Sequence, residues 1–135
     1  MILAVCVDDK GGMMFNRRRQ SRDKIQQTDL LEWCAGRKLW ISPYSAPLFE
    51  GAPVCADEAF LEKAGSGEVC FLEDRRVEEV ADRVETVILY HWNRTYPADL
   101  RVDLDLSGFY LETAVEFPGN SHEKITREIY QRKEK

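Results

Sequence analysis

Residues 1–23 read MILAVCVDDKGGMMFNRRRQSRD, and this stretch decides the fold. The apolar run from Met1 to Val7 has no polar alternation, which predicts a strand covered on both faces of a sheet. Gly11-Gly12 then interrupt the chain, a loop with Asn16 and several arginines follows, and Ser21 is placed to begin a helix. Many α/β proteins build the edge of a ligand site from a buried strand, a loop with glycines and a helix. The stretch therefore predicts an α/β fold with a candidate site at this loop.

Composition restricts the class of protein. The chain has 135 residues, a net charge of −5 and 32% charged residues. This length is typical of one domain, so we expect residues 1–135 to form a single domain. The acidic balance argues against general affinity for nucleic acid, because phosphate binding needs a basic surface. No apolar segment is long enough to cross a membrane, and no signal peptide is evident, which predicts a cytoplasmic protein.

The cysteines and histidines predict no metal site. The four cysteines are spread almost evenly, without a C-x-x-C pair, and Cys6 and Cys70 fall inside strand-like runs, where a thiol is usually a small core residue. His91 and His122 do not have the spacing of a zinc hydrolase. Each histidine is either structural or a candidate general base near neutral pH. No G-x-S-x-G run supports a serine nucleophile.

The rest of the chain alternates between strand and helix patterns. Apolar runs predict strands at 38–42, 68–72 and 86–90, and helical spacing of apolar residues predicts helices over 21–35, 57–64 and 74–84. This order predicts a mainly parallel central sheet with helices on both faces. From residue 100 onward apolar and polar residues alternate, with a turn at 118–121, which predicts a C-terminal antiparallel hairpin. Asp103 and Asp105 would lie on the solvated face of these strands, and Asp74 would cap the helix over 74–84.

The C-terminal third resembles the dihydrofolate reductase family. Residues 87–93, VILYHWN, resemble a late strand of that family, and Asn120-Ser121-His122 resembles the turn of its closing hairpin. At the front, Val7-Asp8 and Gly12-Met13 resemble the first strand and the start of a mobile active-site loop. The resemblance implies a dihydrofolate reductase-like fold, NADPH as cofactor and a folate-binding acid at the start of the first helix. Asp23 is the candidate for that catalytic acid, provided that one residue is deleted from the loop.

Departures from the family pattern argue against NADPH. A glycine-rich turn, which lets the backbone approach the pyrophosphate, corresponds to Glu73-Asp74, whose side chains and charge oppose that approach. A Gly-Arg turn that grips the cofactor corresponds to Ser42-Pro43, and proline offers neither a guanidinium nor an N–H. The chain is also short between Leu48 and Asp57, where the family builds its adenosine side. We therefore expect a divergent, shortened member with a degenerate cofactor site and no NADPH.

The candidate ligand site includes the basic cluster Arg17–Arg22. Guanidinium groups bind phosphate or carboxylate in a bidentate manner, which favours an anion site, and the alternative is a solvated loop. Tyr44-Ser45 and Glu73 follow the ends of predicted strands and could line the same pocket. The predicted site residues are Asp23 as a catalytic acid, and Asn16, Arg17, Arg18, Arg19, Tyr44, Ser45 and Glu73 as ligand-binding residues.

Four functions are compatible with these patterns. The favoured one is a dihydrofolate reductase-like protein without NADPH that binds a small anionic or heterocyclic ligand near the loop at 11–23. The second is an active, divergent NADPH-dependent reductase. The third is a nucleic-acid or nucleotide-processing protein that uses the arginine cluster, although the acidic remainder gives it little support. The fourth is a structural module that forms a homodimer through its exposed hairpin.

Overall fold

The structure is a computed structural model that describes residues 1–134. Within these residues the chain forms ten strands and two α-helices, joined by loops and short 3-10 turns. The strands are β1 (Ile2–Val7), β2 (Gly12–Phe15), β3 (Arg18–Arg19), β4 (Leu39–Ile41), β5 (Cys55–Ala56), β6 (Val69–Leu72), β7 (Thr86–His91), β8 (Leu100–Arg101), β9 (Phe109–Phe117) and β10 (Ile125–Arg132), and the helices are α1 (Lys24–Trp33) and α2 (Phe60–Lys63).

Strand β1 is the centre of a seven-stranded sheet with the order β5-β4-β6-β1-β7-β10-β9. It pairs in parallel with β6 on one side and with β7 on the other. β10 runs antiparallel to both β7 and β9. The predicted mainly parallel sheet and its C-terminal antiparallel hairpin are therefore confirmed.

Helical segments cover both faces of this sheet. Leu30 of α1 is fully buried in one apolar cluster with Ala4 and Tyr90. Ala4 and Tyr90 are strand residues on the face of the sheet that α1 covers. Phe60 of α2 packs in a second cluster on the opposite face, together with Val80 of a 3-10 turn. Burying apolar side chains on both faces excludes water from β1, as its uninterrupted apolar sequence predicts.

The predicted helix over 74–84 is wrong. The chain forms only a 3-10 turn at Glu78–Arg83, and Asp74 caps nothing there because its carboxylate pairs with Arg75 at 3.1 Å. Asp103 supplies the cap instead, since its carboxylate accepts hydrogen bonds from the backbone N–H groups of Val77 (2.9 Å) and Glu78 (3.1 Å). The prediction of a solvated Asp103 is therefore also wrong, whereas Asp105 is exposed.

The loop after β1 is a hairpin. Strands β2 and β3 pair in an antiparallel manner, and β2 also pairs with β8, which gives a small three-stranded sheet. The two turn residues, Asn16 and Arg17, have φ values of 52° and 61°. A two-residue turn with both φ values positive matches the right-handed twist of the strands, and Asn-Gly is its preferred sequence. Arg17 therefore occupies a backbone position that favours glycine.

This position gives a first prediction. We expect Arg17→Gly to raise the free energy of unfolding by about 0.5–1 kcal/mol, because glycine adopts the left-handed conformation without a Cβ clash. Urea unfolding followed by circular dichroism measures the change. Arg18→Gly is the matched control: it removes a charge one residue later, in strand β3, and should lower stability instead. Equal effects of the two substitutions would show that charge, and not backbone conformation, determines stability at this turn.

The outer edge of the large sheet is exposed. Residues 110–116 of β9 are all accessible to solvent, and its apolar side chains include Tyr110, Leu111 and Val115, which are 50%, 48% and 40% exposed. In the part of the chain that the structure describes, no helix is both long and apolar enough to cross a membrane.

Candidate functional site

An ion pair lies at the carboxyl ends of the central strands. Arg19 of β3 reaches inward, and its Nε donates to Oε2 of Glu73 at 2.9 Å while its Nη2 donates to Oε1 at 3.2 Å. The Glu73 side chain is 9% exposed and that of Arg19 is 21% exposed. Burial alone would lower the pKa of Arg19, but the hydrogen bonds and charge of Glu73 raise it, so the guanidinium stays charged. The pair is bidentate and largely removed from water.

Tyr44 and Ser45 complete this cluster from the turn after β4. The Tyr44 hydroxyl accepts from the backbone N–H of Arg19 at 2.8 Å, and the Arg19 guanidinium lies over the Tyr44 ring, 4.5 Å from its centroid. The Ser45 hydroxyl, which is fully buried, donates to Oε1 of Glu73 at 2.7 Å. Four predicted ligand-binding residues therefore meet, and they bind one another. We call them the inner cluster: Arg19, Tyr44, Ser45 and Glu73.

Strands β1 and β6 pair as far as Val5 and Leu72, so the next residues, Cys6 and Glu73, lie side by side. Burial raises the pKa of the Cys6 thiol well above its ordinary value, and the carboxylates of Glu73 and Asp23 raise it further. A raised pKa favours the protonated thiol, which is a poorer nucleophile than the thiolate.

An open cleft lies outside the inner cluster, between the β2–β3 hairpin and the loop after β7. We call it the outer cleft, and its volume is about 430 Å³. It presents an exposed aromatic ring, Phe15, beside the exposed guanidinium of Arg18. Among the four arginines of the loop, only Arg19 has a carboxylate partner within residues 1–134. The lining residues are Phe15, Asn16, Arg18, Arg19, Gln20, Tyr96 and Pro97.

Asp23 connects the start of α1 to the turn of the C-terminal hairpin. It is the N-cap of α1, in place of the predicted Ser21, because its Oδ1 accepts from the backbone N–H groups of Ile25 (2.9 Å) and Gln26 (3.2 Å). Its Oδ2 accepts from the N–H of Ser121 at 2.9 Å and from Nδ1 of His122 at 3.1 Å.

This carboxylate is fully buried and ionised. Its side chain has no exposed surface, and a Cβ added at Gly119 would lie 2.3 Å from its Oδ2. Burial alone would raise the pKa of Asp23, but the hydrogen bonds from Ser121, His122 and the turn lower it to about 2. Asp23 therefore caps α1 and joins the start of this helix to the turn of the C-terminal hairpin. The catalytic role of Asp23 stays a prediction.

The predicted site residues thus occupy three places. The inner cluster holds four of them, the outer hairpin carries Asn16, Arg17 and Arg18, and Asp23 lies at the helix start. The chain's own side chains fill the space where the sequence predicts a pocket, and the open volume lies outside it. Phe15, Gln20, Tyr96 and Pro97 line the outer cleft but are not among the predicted site residues. Tyr96 and Pro97 are distant in sequence and meet the loop only in the folded chain.

The histidines differ in their surroundings. His91 contacts Glu128 across the β7–β10 pair and is partly exposed. His122 is buried, and its ring stacks on Trp92 with the centroids 4.4 Å apart. Within residues 1–134 no group of three or more His, Cys, Asp or Glu side chains is arranged to hold a metal ion.

Comparison with known proteins shows the fold. No protein-family model matches the chain, and no curated protein matches it by sequence. Among solved structures, it is similar to a dihydrofolate reductase from Enterococcus faecalis, determined in complex with NADP(H) and RAB-propyl. The superposition has a TM-score of 0.68 at 15% identity and covers 99% of this chain and 97% of the other. The chain therefore has a dihydrofolate reductase-like fold, as its C-terminal motifs predict.

Proposed function

We propose that this chain binds a small, planar, anionic ligand in the outer cleft and does not use NADPH. The observation that carries the proposal is the juxtaposition of the exposed Phe15 ring with the exposed Arg18 guanidinium. An aromatic face stacks on a heterocycle, and an arginine without a carboxylate partner pairs with a phosphate or carboxylate of the same ligand. A cleft of about 430 Å³ suits a molecule of that size.

The inner cluster supports the loss of NADPH for a different reason from the one that the sequence indicates. The sequence points to the negative charge of Glu73 and Asp74, but in the structure Arg19 pairs with Glu73 and Arg75 pairs with Asp74. Charge repulsion is therefore largely cancelled within the protein. The obstacle is steric and energetic, because a ligand in this position must displace a buried bidentate ion pair.

The alternative of an active reductase requires the inner cluster to open. If NADPH binds where the resemblance implies, at Glu73-Asp74, we expect the Arg19–Glu73 pair to open and leave both charges to find new partners. The nucleic-acid alternative needs an extended basic surface, whereas the exposed arginines of the loop are confined to Arg17, Arg18 and Arg22. The outer cleft, at about 430 Å³, has the volume of a small-molecule site, which favours a small ligand over a polymer.

The proposal predicts the outcome of a thermal-shift titration with AMP, folate and NADPH. We expect AMP or folate to raise the melting temperature, because a ligand at a hundredfold excess over its Kd stabilises the folded state by about 2.7 kcal/mol. Phe15→Ala and Arg18→Ala should each abolish the shift. Arg76→Ala is the matched control, since Arg76 is exposed and lies outside the outer cleft, and it should leave the shift unchanged.

Two other results would contradict the proposal. A shift with NADPH at far lower concentration than with AMP, retained in Arg18→Ala, would favour the active reductase. No shift with any of the three probes would remove the small-ligand proposal and favour self-association through the exposed strand β9, which sedimentation velocity would then detect as a dimer.

A further inference from the structure

Three side chains that lie far apart in the sequence form a hydrogen-bonded chain beside the outer cleft. The Ser21 Oγ lies 2.9 Å from Nε2 of His122, and Nδ1 of the same ring lies 3.1 Å from Oδ2 of Asp23. A hydroxyl, an imidazole and a carboxylate, connected through these atoms and in this order, activate the serine nucleophile of unrelated hydrolases. From this geometry we propose that Ser21 is a nucleophile toward small carboxylic esters, with His122 as its general base and Asp23 as the group that orients His122.

The carboxylate determines which nitrogen of His122 carries the proton. Asp23 is ionised at neutral pH, since its pKa is about 2, and an ionised carboxylate can only accept hydrogen bonds. A neutral His122 must therefore place its proton on Nδ1, which leaves Nε2 as an acceptor. The hydroxyl of Ser21 then donates to Nε2, which is the arrangement that a general base requires.

The surroundings hold the imidazole in place. The side chains of His122 and Asp23 are 1% and 0% exposed, and the imidazole lies nearly parallel to the Trp92 ring, at an interplanar angle of 15°. The Asp23 carboxylate is fixed in turn by the backbone N–H of Ser121 and by the start of α1. A base that is already oriented before substrate binds loses little free energy on reaching the reactive geometry.

Ser21 remains accessible while its partners are buried. The residue is half-buried, and its neighbour Gln20 lines the outer cleft together with Tyr96, whose hydroxyl lies 3.3 Å from Nε2 of His122. The next residue in the chain, Arg22, lines a second cleft of about 380 Å³ together with Ser121. Ser21 is thus flanked in sequence by residues of both clefts, and we expect an ester to reach its hydroxyl from one of them.

The reaction balances within these three groups. Ser21 Oγ attacks the ester carbonyl carbon while its proton moves to Nε2 of His122, and the bond to the alcohol breaks as the alcohol takes that proton. The acyl group is then an ester of Ser21. Water attacks the carbonyl carbon of this ester while its proton moves to Nε2, the acyl–Oγ bond breaks, and Ser21 Oγ takes that proton as the carboxylic acid leaves. No oxidant or reductant takes part.

A fluorophosphonate probe and p-nitrophenyl acetate test the proposal. We expect the probe to form one covalent adduct, assigned to the peptide that contains Ser21 by mass spectrometry. The chain should also release p-nitrophenolate, at a rate that falls by at least about 100-fold in Ser21→Ala. Because Ser21 is half-buried, this variant should keep its circular dichroism spectrum. Ser66→Ala, which removes an exposed hydroxyl from the turn between α2 and β6, is the control and should retain both the adduct and the rate.

Other results would overturn the proposal. An adduct on another residue, or equal labelling of the parent chain and Ser21→Ala, would show that Ser21 is an ordinary hydroxyl in a structural network. Ester cleavage that persists in Ser21→Ala would have the same meaning. These outcomes are independent of the proposed ligand in the outer cleft, because that proposal is tested through Phe15 and Arg18.

Discussion

Replacing Asp23 with alanine is expected to lower the free energy of unfolding by about 4 kcal/mol, which is the largest effect we predict for one substitution. Removing one partner of a buried charged network typically costs about 3–5 kcal/mol, because the remaining polar groups lose their partners inside the protein. Here the groups left behind include the imidazole of His122, the N–H of Ser121 and the N-terminal N–H groups of α1. Guanidinium-induced unfolding with fluorescence detection measures the loss.

Asp105→Ala is the matched control for this prediction. Asp105 also caps a short helical turn, accepting from the N–H of Ser107 at 2.9 Å, but it is exposed and joins no distant segment. Its replacement should cause a far smaller loss. Losses of similar size in the two variants would show that Asp23 contributes as an ordinary cap and that its contacts with Ser121 and His122 add little.

The pKa of Asp23 predicts how this contribution depends on pH. A carboxyl group whose pKa is lower in the folded state stabilises the protein above its unfolded pKa, here 3.8, and that stabilisation is lost as the pH falls toward about 2. We therefore expect the stability difference between the parent chain and Asp23→Asn to be greatest near neutral pH and to shrink between about pH 4 and pH 2. A difference that stays constant over this range would contradict the assigned pKa.

Replacing Glu73 with alanine is the second large effect, with an expected loss of about 3 kcal/mol. The substitution leaves the Arg19 guanidinium beside the core without a carboxylate and the buried Ser45 hydroxyl without its acceptor. Because Arg19 belongs to β3, the hairpin should also detach, and hydrogen exchange should become faster at the amides of β2 and β3. Urea unfolding and amide exchange detected by mass spectrometry measure these two effects.

A double-mutant cycle isolates the ion pair from the other contacts. Arg19→Met and Glu73→Gln, combined in one chain, should lose less stability than the sum of the single variants, since neither buried charge is then left alone. Glu58→Ala is the control, because the Glu58 carboxylate pairs with Arg75 but its side chain is 73% exposed. If Glu73→Ala were no more harmful than Glu58→Ala, the inner cluster would not be a stabilising element.

The inner cluster also links stability to the proposed ligand site. Arg19 is one of the residues that line the outer cleft, and its guanidinium pairs with Glu73 in the inner cluster. The hairpin that presents Phe15 and Arg18 is therefore held against the sheet by Arg19. A ligand in the outer cleft needs this hairpin in place. A ligand that takes the place of the Arg19–Glu73 pair must instead displace the hairpin from the sheet.

The sequence by itself determined the central sheet and the C-terminal hairpin. The runs at 1–7, 68–72 and 86–90 are long, apolar and rich in branched residues, so burial on both faces was the only favourable outcome for them. Alternation over 109–117 and 125–132 predicted the antiparallel pair, although residues 110–116 of β9 are all exposed and do not alternate in burial. The turn Asn120-Ser121-His122 carried the resemblance, and the superposition on a dihydrofolate reductase shows that the chain has this type of fold.

Only the tertiary structure decided the cap from Asp103, the contact between Asp23 and His122, and the site, because these partners are distant along the chain. Asp103 lies 26 residues from Val77, and Asp23 lies 99 residues from His122, so no local pattern connects them. The arginine cluster suggested an anion site, yet the fold turned Arg19 inward to Glu73 and left Arg18 outside. A carboxylate, an imidazole or a guanidinium gains its role from the charge and hydrogen bonds around it, and those arise only when separate strands meet.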